Sequence, residues 1–421
     1  MDCFTYRSGQ LFAENAPLAT IAEQVGTPCY VYSRRMIEDQ YRAFDDAFDA
    51  HPHLVCYAVK ANSNLAILNI LARQGSGFDI VSGGELERVL RAGGDPSTTV
   101  FSGVGKSDAE IRRALEVGIH SFNVESDSEL SRLDVLAGEF GKPVSIAVRV
   151  NPDVDPNTHP YIATGLKQNK FGVPIGQAAA LYTRAQGLRN VNVTGVACHI
   201  GSQLLELAPF LDAVGRVLGL VEQLRRNGFA LDTLDLGGGL GIRYRAERPP
   251  RPDEYVRVLL EALDACGEHG RDLRIMIEPG RALVGQAGLL LTRVQYLKHG
   301  EAKNFAMVDM AMTELLRPAL YQAWHEVTPV YDEADRHTAV YDVVGPVCES
   351  ADFLARDREL AIAPGDLLAI RSAGAYAASM GSRYNTRPLA AEVMVDGDAI
   401  HIVRRRETID EMLATESMLP E

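Results

Sequence analysis

No two cysteines in this 421-residue chain are spaced C-x-x-C. Cys3, Cys29, Cys56, Cys198, Cys266 and Cys348 are scattered. Neither a zinc site nor a dithiol redox motif is expected, and the thiols read as mostly buried and reduced. No apolar run reaches the ~18 residues needed to span a bilayer. The opening residues, MDCFTYRSGQ, have neither a basic stretch nor an apolar core, so no signal peptide is expected. A reducing cytoplasm is the expected compartment. No Lys/Arg-rich run offsets the net charge of −14, which excludes a general nucleic-acid role. Internal repeats, low-complexity tracts and long linkers are also missing. RPPRP at Arg248–Pro252 reads as a short exposed loop.

What is present is an ample apolar fraction, 46%, enough for two or three domains. From about residue 50 to 280, short β-type runs alternate with helical stretches. The runs are His53–Val59, Phe78–Val81, Thr98–Ser102, Ile119–Val124, Pro143–Val150, Val191–Ile200, Leu231–Leu236 and Leu273–Ile277. Each is rich in Val, Ile and aromatics between turn signals. Ser82, Ser107 and Ser126 stand where helix caps belong, and Ser107 with Glu110 spells a capping box. Strand–helix alternation predicts a parallel sheet with right-handed crossovers. Eight such units over about 230–250 residues predict a closed (β/α)8 TIM-like barrel rather than an open doubly wound sheet. Strand-like runs without regular helices follow Ala282, and FTYRSGQLFAEN reads as a hairpin around Ser8-Gly9. A mostly antiparallel β domain built from residues 1–29 and 282–421 is therefore expected, with the barrel, residues 30–281, inserted between them.

Chemistry in such a barrel sits at the C-terminal ends of the strands. Lys60 follows the first run, Asp79 and Ser82 close the second, Gly103 and Gly105 follow the third, and Glu125 the fourth. Arg149 and Asn151 close the fifth. The sixth ends in His199-Ile200-Gly201-Ser202, the seventh in the GGGLG run at 237–241, and the eighth in Glu278-Pro279-Gly280-Arg281. Lys60, desolvated at a barrel mouth, could form a Schiff base; a lysine snorkelling from the rim is the ordinary alternative. GGGLG could cradle a phosphate or make a plain βα turn, and it lacks the lysine of a nucleotide-binding P-loop. Glu278 could keep a pyridine nitrogen protonated or sit at the surface before a Pro-Gly turn. His199 could stack on a flat ring or be a structural histidine. An amine, a phosphate loop and an acid at one rim have pyridoxal 5′-phosphate (PLP) as their economical joint explanation.

The segments YAVKANSN, FDIVSGGEL, RVNPDVDPNTHPYIATGLKQNKFG, CHIGSQ, LDLGGGLG, EPGRALVG, VCESADF and GAYAASMGSRYNTRP carry a nearly end-to-end resemblance. The chain resembles diaminopimelate decarboxylases, within the fold type III PLP decarboxylases that also act on ornithine and arginine. THPYIATGLKQNKFG looks like the diaminopimelate branch. Two positions depart from the pattern: Ala377, where glycine is commoner, and Gly381, where serine is expected. The resemblance implies decarboxylation of meso-2,6-diaminopimelate to L-lysine and CO2, the last step of lysine biosynthesis. It implies that Lys60 carries PLP, His199 stacks on its ring, and Glu278 pairs with its nitrogen. Asp79 also belongs to the implied cofactor site. Ser202, Gly239, Gly280 and Arg281 would surround the phosphate, and Tyr376 would touch cofactor and substrate. Arg281, Arg317 and Tyr321 would hold the distal carboxylate, and Glu349 the distal ammonium. Cys348 would deliver the proton. Cys348 and Glu349 would reach the site from a second subunit, implying a homodimer with shared active sites.

The residues themselves allow this. Arg317 and Tyr321, four apart, share a face if helical, although a solvated face would look the same. Cys348 and Glu349 are adjacent and can serve one site only from a loop, which Gly345-Pro346 permits; otherwise Cys348 is a core thiol. The alternatives are a decarboxylase of the same fold for another amino acid, a racemase of that fold, or a non-catalytic PLP-binding homologue.

Overall fold

The protein is described by a computed structural model covering residues 2–155, 170–267, 270, 272–332 and 336–420. Two compact units are present: Glu38–Ile242 with Glu247–Leu283, and Met1–Ile37 with Arg243–Ala246 and Val284–Glu421.

The first unit is a closed barrel of eight parallel strands. They are β1 (His53–Ala58), β2 (Gly77–Ile80), β3 (Thr99–Phe101), β4 (Ser121–Val124), β5 (Val144–Asn151), β6 (Val191–Cys198), β7 (Thr233–Asp235) and β8 (Arg274–Ile277). Each pairs with its successor in the chain, and β8 pairs with β1, which leaves no open edge in the ring. All eight fall on the eight β-type runs read from the sequence. Helices follow β2, β3 and β4 as their caps dictate. Ser82 Oγ accepts from Glu85 N, Ser126 Oγ accepts from Glu129 N, and Ser107 with Glu110 forms the reciprocal box. Each such cap contributes about 1 kcal/mol. Leu54, Cys56, Val100 and Met276, from β1, β3 and β8, form one buried apolar cluster.

The second unit is a mixed sheet with a short N-terminal hairpin. Phe4–Arg7 and Gln10–Ala13 turn at Ser8 and Gly9, both at positive φ. The main sheet runs Phe353–Leu360, Ala339–Val344, Asn304–Val308, Gly288–Lys298, Cys29–Ser33, Ala391–Asp396 and Ala399–Arg404 in spatial order. Most pairings are antiparallel. Asn304–Val308 with Ala339–Val344, and Cys29–Ser33 with Ala391–Asp396, are parallel. The core of this unit gathers Leu11, Leu18, Ile21, Cys29, Val31, Leu289, Leu291, Val330 and Val393.

Three stretches fall in a different unit from the sequence reading; the shortest, residues 282–283, closes the barrel unit. Residues 30–37, expected in the barrel, lie in the β unit. Cys29–Ser33 is bonded between Gly288–Lys298 and Ala391–Asp396 and is buried along its whole length. A strand covered on both faces belongs with the strands that cover it. Arg243–Ala246 also joins the β unit, where Ser372 Oγ donates to Arg243 O (3.4 Å). No helix among the described residues is long and apolar enough to cross a membrane.

Candidate active site

Side chains two apart on a strand share a face. Val100 and Met276 lie in the apolar cluster of the barrel, and two residues further toward the C-terminal mouth stand Ser102 and Glu278. The same step turns core into site. Lys60 sits in the turn Val59–Ala61 directly after β1, and its Nζ is ion-paired with Asp79 Oδ2 on the neighbouring β2. Asp79 is completely buried, and its Oδ1 has no hydrogen-bond partner among the described residues. Lys60 is therefore fixed by a buried acid, not left to snorkel from the rim.

Glu278 is 8% exposed, which rules out the surface alternative. Its Oε1 lies 3.5 Å from Ser102 Oγ and 3.5 Å from Asn123 Nδ2. Asn123 Nδ2 also donates to Asp235 Oδ2 (3.0 Å), and Gly237 N donates to Asp235 Oδ1 (2.9 Å). Burial pushes the Glu278 carboxyl well above the usual carboxylate range; Asp235 and Asp79 push it the same way, and Lys60 opposes them. Asp235 is raised too, chiefly by burial.

The sign of the resulting pH dependence is fixed. A native Glu278 holds a proton that the unfolded chain has lost above its ordinary value of 4.5. Native Glu278 binds more protons in that window, so its contribution to stability falls as pH rises. Cofactor-free protein should lose melting temperature as pH rises above the ordinary value of 4.5 more steeply than Glu278→Gln does. Parallel slopes in differential scanning fluorimetry would contradict the assignment.

His199 follows β6, and its Nδ1 accepts from Gly238 N (3.2 Å). Burial, with Arg149 and Lys60 nearby, holds its imidazole well below the ordinary value, so the ring is neutral. The loops after β6 and β7 are zipped together: Leu204 N donates to Gly239 O and Gly241 N to Leu204 O, each at 2.9 Å. Only glycine fits there. A Cβ on Gly238 would stand 2.2 Å from Glu278 O, and one on Gly239, at φ +121°, 2.6 Å from Gly201 O. Ser202 on this zipped pair accepts from Arg281 Nη2 (3.0 Å), and Arg281 is itself buried directly after Gly280. The barrel mouth thus brings together Lys60, Asp79, His199, Ser202, Gly239, Glu278, Gly280 and Arg281.

Arg317, Tyr321, Cys348, Glu349 and Tyr376 belong to the β unit. Arg317 opens the helix Arg317–Tyr321 and is buried, not solvated; Tyr321 is half-buried at its end. Cys348 and Glu349 are exposed on the loop between Ala339–Val344 and Phe353–Leu360, so Cys348 is no core thiol. Asp352 shapes this loop by accepting from Val347 N (2.8 Å) and Met312 N (2.6 Å), and Asn385 Oδ1 accepts from Cys348 N (3.0 Å). Tyr376 sits at φ +54°, a costly conformation for an aromatic residue that marks functional positions.

Residues 34–285 match the family profile described as pyridoxal-dependent decarboxylase, pyridoxal binding domain. The diaminopimelate decarboxylase of Pseudomonas aeruginosa is 61% identical over the whole of both chains. The chain belongs to the diaminopimelate decarboxylase family. Among solved structures, diaminopimelate decarboxylase from Helicobacter pylori complexed with L-lysine is 40% identical. It superposes with a TM-score of 0.90, covering 94% of this chain and 98% of that one. The M. jannaschii diaminopimelate decarboxylase in co-complex with L-lysine is 36% identical with a TM-score of 0.95, covering 100% and 98%.

The barrel mouth of this family member fits PLP on its own chemistry. Asp79, Asp235 and Glu278 are three buried carboxyl groups at this mouth, and burial, with Asp235 and Asp79, pushes Glu278 well above the usual carboxylate range. A protonated ring nitrogen would give this acid cluster a further, charged donor. The glycine loops, Ser202 and Arg281 offer a small, cationic cradle suited to a phosphate. Asp235, Asn123 and Ser102 escaped the sequence reading. Each is a polar residue in or just after a buried interior strand, and that irregularity was the available signal. Glu125 and Arg149, also at the rim, pair with each other (3.0 Å), and Glu125 accepts from Gly103 N (3.0 Å) and Gly172 N (2.9 Å), tying the loops after β3 and β5. In the diaminopimelate-branch stretch THPYIATGLKQNKFG, residues 158–169 lie outside the described residues.

Proposed function

We propose that the protein decarboxylates meso-2,6-diaminopimelate to L-lysine and CO2 with PLP as cofactor, the last step of lysine biosynthesis. The observation that carries this is the convergence of the Lys60–Asp79 pair, the buried Glu278 and the glycine–Arg281 cradle at one barrel mouth, in a chain of this family. PLP, when bound, supplies the electron sink that accepts the pair left behind as CO2 departs. Lys60 Nζ binds the cofactor covalently and Asp79 orients that amine. Glu278 holds a proton at the ring nitrogen. His199, neutral, lies against the ring without competing for charge. Ser202, Gly239, Gly280 and Arg281 bind the phosphate. Arg281, Arg317 and Tyr321 hold the distal carboxylate, Glu349 the distal ammonium, and Tyr376 orients cofactor and substrate. When the Cα–carboxylate bond breaks, Cys348 Sγ gives its proton to that carbon. Incubation with meso-diaminopimelate should release one CO2 per L-lysine only when PLP is present. Amino acid of inverted configuration without CO2 would point to a racemase instead.

The protein acts in the cytoplasm as a homodimer with shared active sites, the Cys348–Glu349 loop serving the barrel of the second copy. The exposure of both residues on one loop favours this reading. Cys348→Ala alone should lose roughly 10²–10⁴-fold in turnover. Random reassociation of Cys348→Ala with Lys60→Ala subunits should recover about a quarter of wild-type activity, because half the dimers then hold one intact site of two. Recovery of none would mean that each site is built within one chain.

A further inference from the structure

Asp235 closes β7, and Glu278 follows the neighbouring strand β8. Both side chains are buried, and a hydrogen bond joins their carboxyl groups. Ionised carboxylates only accept, so this bond needs one proton between them. The surrounding donors decide which group keeps it. Both oxygens of Asp235 already accept from N–H groups: Oδ1 from Gly237 N at 2.9 Å and Oδ2 from Asn123 Nδ2 at 3.0 Å. Glu278 Oε1 has only Ser102 Oγ and Asn123 Nδ2, each at 3.5 Å and beyond the usual range. Close donors stabilise a carboxylate, so the charge belongs to Asp235 and the shared proton to Glu278.

The other titratable groups that face this pair are committed or uncharged. Asp79 of β2 is ion-paired with Lys60. Burial pushes the Cys198 thiol of β6 up to about 12 and raises the Cys56 thiol of β1 and the Tyr255 phenol as well. His199 is neutral. We infer that Asp235, held by Gly237 and Asn123, is a positioning residue that acts through Glu278 to keep a proton at the ring nitrogen of the bound cofactor. This deepens the proposed function and rests on its pairing of Glu278 with that nitrogen. The proton is the one the two carboxyl groups already share, so none need be drawn from solvent. Losing it would leave two neighbouring carboxylates to repel each other in a buried site. The ring draws electrons most strongly while it is protonated.

Asparagine is nearly isosteric with aspartate and removes only the charge. Asp235→Asn should leave KM for meso-diaminopimelate within about threefold of wild type. It should lower kcat about 10–100-fold near about pH 9 and less than about threefold near about pH 6, where solvent supplies the proton. Equal loss of kcat at every pH would reduce Asp235 to a packing role and overturn the inference. Solid-state 15N NMR of protein loaded with PLP labelled at the ring nitrogen gives a readout apart from activity. The wild-type signal should keep its protonated position from about pH 6 to about pH 9, and that of Asp235→Asn should move to the neutral position within this range. Identical titrations of the two proteins would also overturn it.

Glu278→Gln serves as the control on the underlying assignment. If it leaves kcat and the ring signal unchanged, Glu278 does not pair with the nitrogen and the inference falls with that reading. If Glu278→Gln deprotonates the ring but Asp235→Asn does not, the pairing of Glu278 stands and the inference about Asp235 is wrong. In the Glu278→Gln background, adding Asp235→Asn should move the titration no further, because the group it acts through is gone. A full additional shift would mean that Asp235 acts without Glu278. Should Asp235→Asn not fold, Asn123→Ala removes the donor to Oδ2 and weakens the hold of Asp235 on its charge. It should lower kcat near about pH 9 by about 3–10-fold, and an unchanged alkaline profile would count against the proposal.

Discussion

Replacing Lys60 by alanine should lower turnover of meso-diaminopimelate by on the order of 10³-fold or more and remove the visible absorbance of lysine-bound PLP. Lys60 is the amine at the end of β1, and its Nζ already faces the buried acid Asp79. Without it the cofactor has no covalent anchor, and product release loses the amine that displaces it. A positioned catalytic group contributes about 10²–10⁴-fold, and Lys60 would add to that the loss of the cofactor's anchor. Because the barrel closes through backbone pairing of β1 with β2 and β8, the variant should retain its fold, which circular dichroism can check. Survival of both absorbance and turnover would remove Lys60 from the chemistry.

Equally large is the expected discrimination between substrates. L-Ornithine, L-lysine and L-arginine should each be turned over with kcat/KM roughly 10³–10⁵ below that for meso-diaminopimelate. All three offer a reacting carboxylate beside an amine, but none offers a second carboxylate at the far end. If Arg317 holds that carboxylate, a ligand without it forgoes a buried charge-assisted contact, and losing such a contact costs several kcal/mol. Discrimination of this size comes from the polar group left unmatched; a methylene more or less in an apolar pocket is worth only about 10–200-fold. Parallel CO2-release assays on the four compounds decide the matter. Comparable turnover of ornithine would shift the reading to a decarboxylase of the same fold for another amino acid.

The two expectations draw on different parts of the chain. The first concerns barrel residues that stand directly after their strands, and these were legible in sequence. Lys60, His199, the glycine run and Glu278 announce themselves because a reactive or conformationally special residue interrupts an apolar run at its C-terminal end. The second concerns Arg317, for which four-residue spacing to Tyr321 suited a solvated helix face equally well. Its burial and its contacts with His325 and Tyr244 are long-range facts. Asp235 and Asn123 were missed for a related reason. One polar residue in an apolar strand looks the same whether it points into a barrel mouth or toward a covering helix.

By itself the sequence determined the eight strand–helix units, the serine caps, the hairpins and the placement of reactive residues at strand ends. Those features follow from local chemistry: side-chain periodicity, turn residues and capping groups act within a few positions of each other. The tertiary structure alone decided the rest. It assigned Cys29–Ser33 to the β unit, because a strand's partners can lie 260 or more residues away. It pushed the Glu278 carboxyl well above the usual carboxylate range, because burial acts on it together with Asp235 of β7 and Asp79 of β2, against Lys60. Charge state and direction depend on distance through space and on burial, and neither is written in the order of residues along the chain.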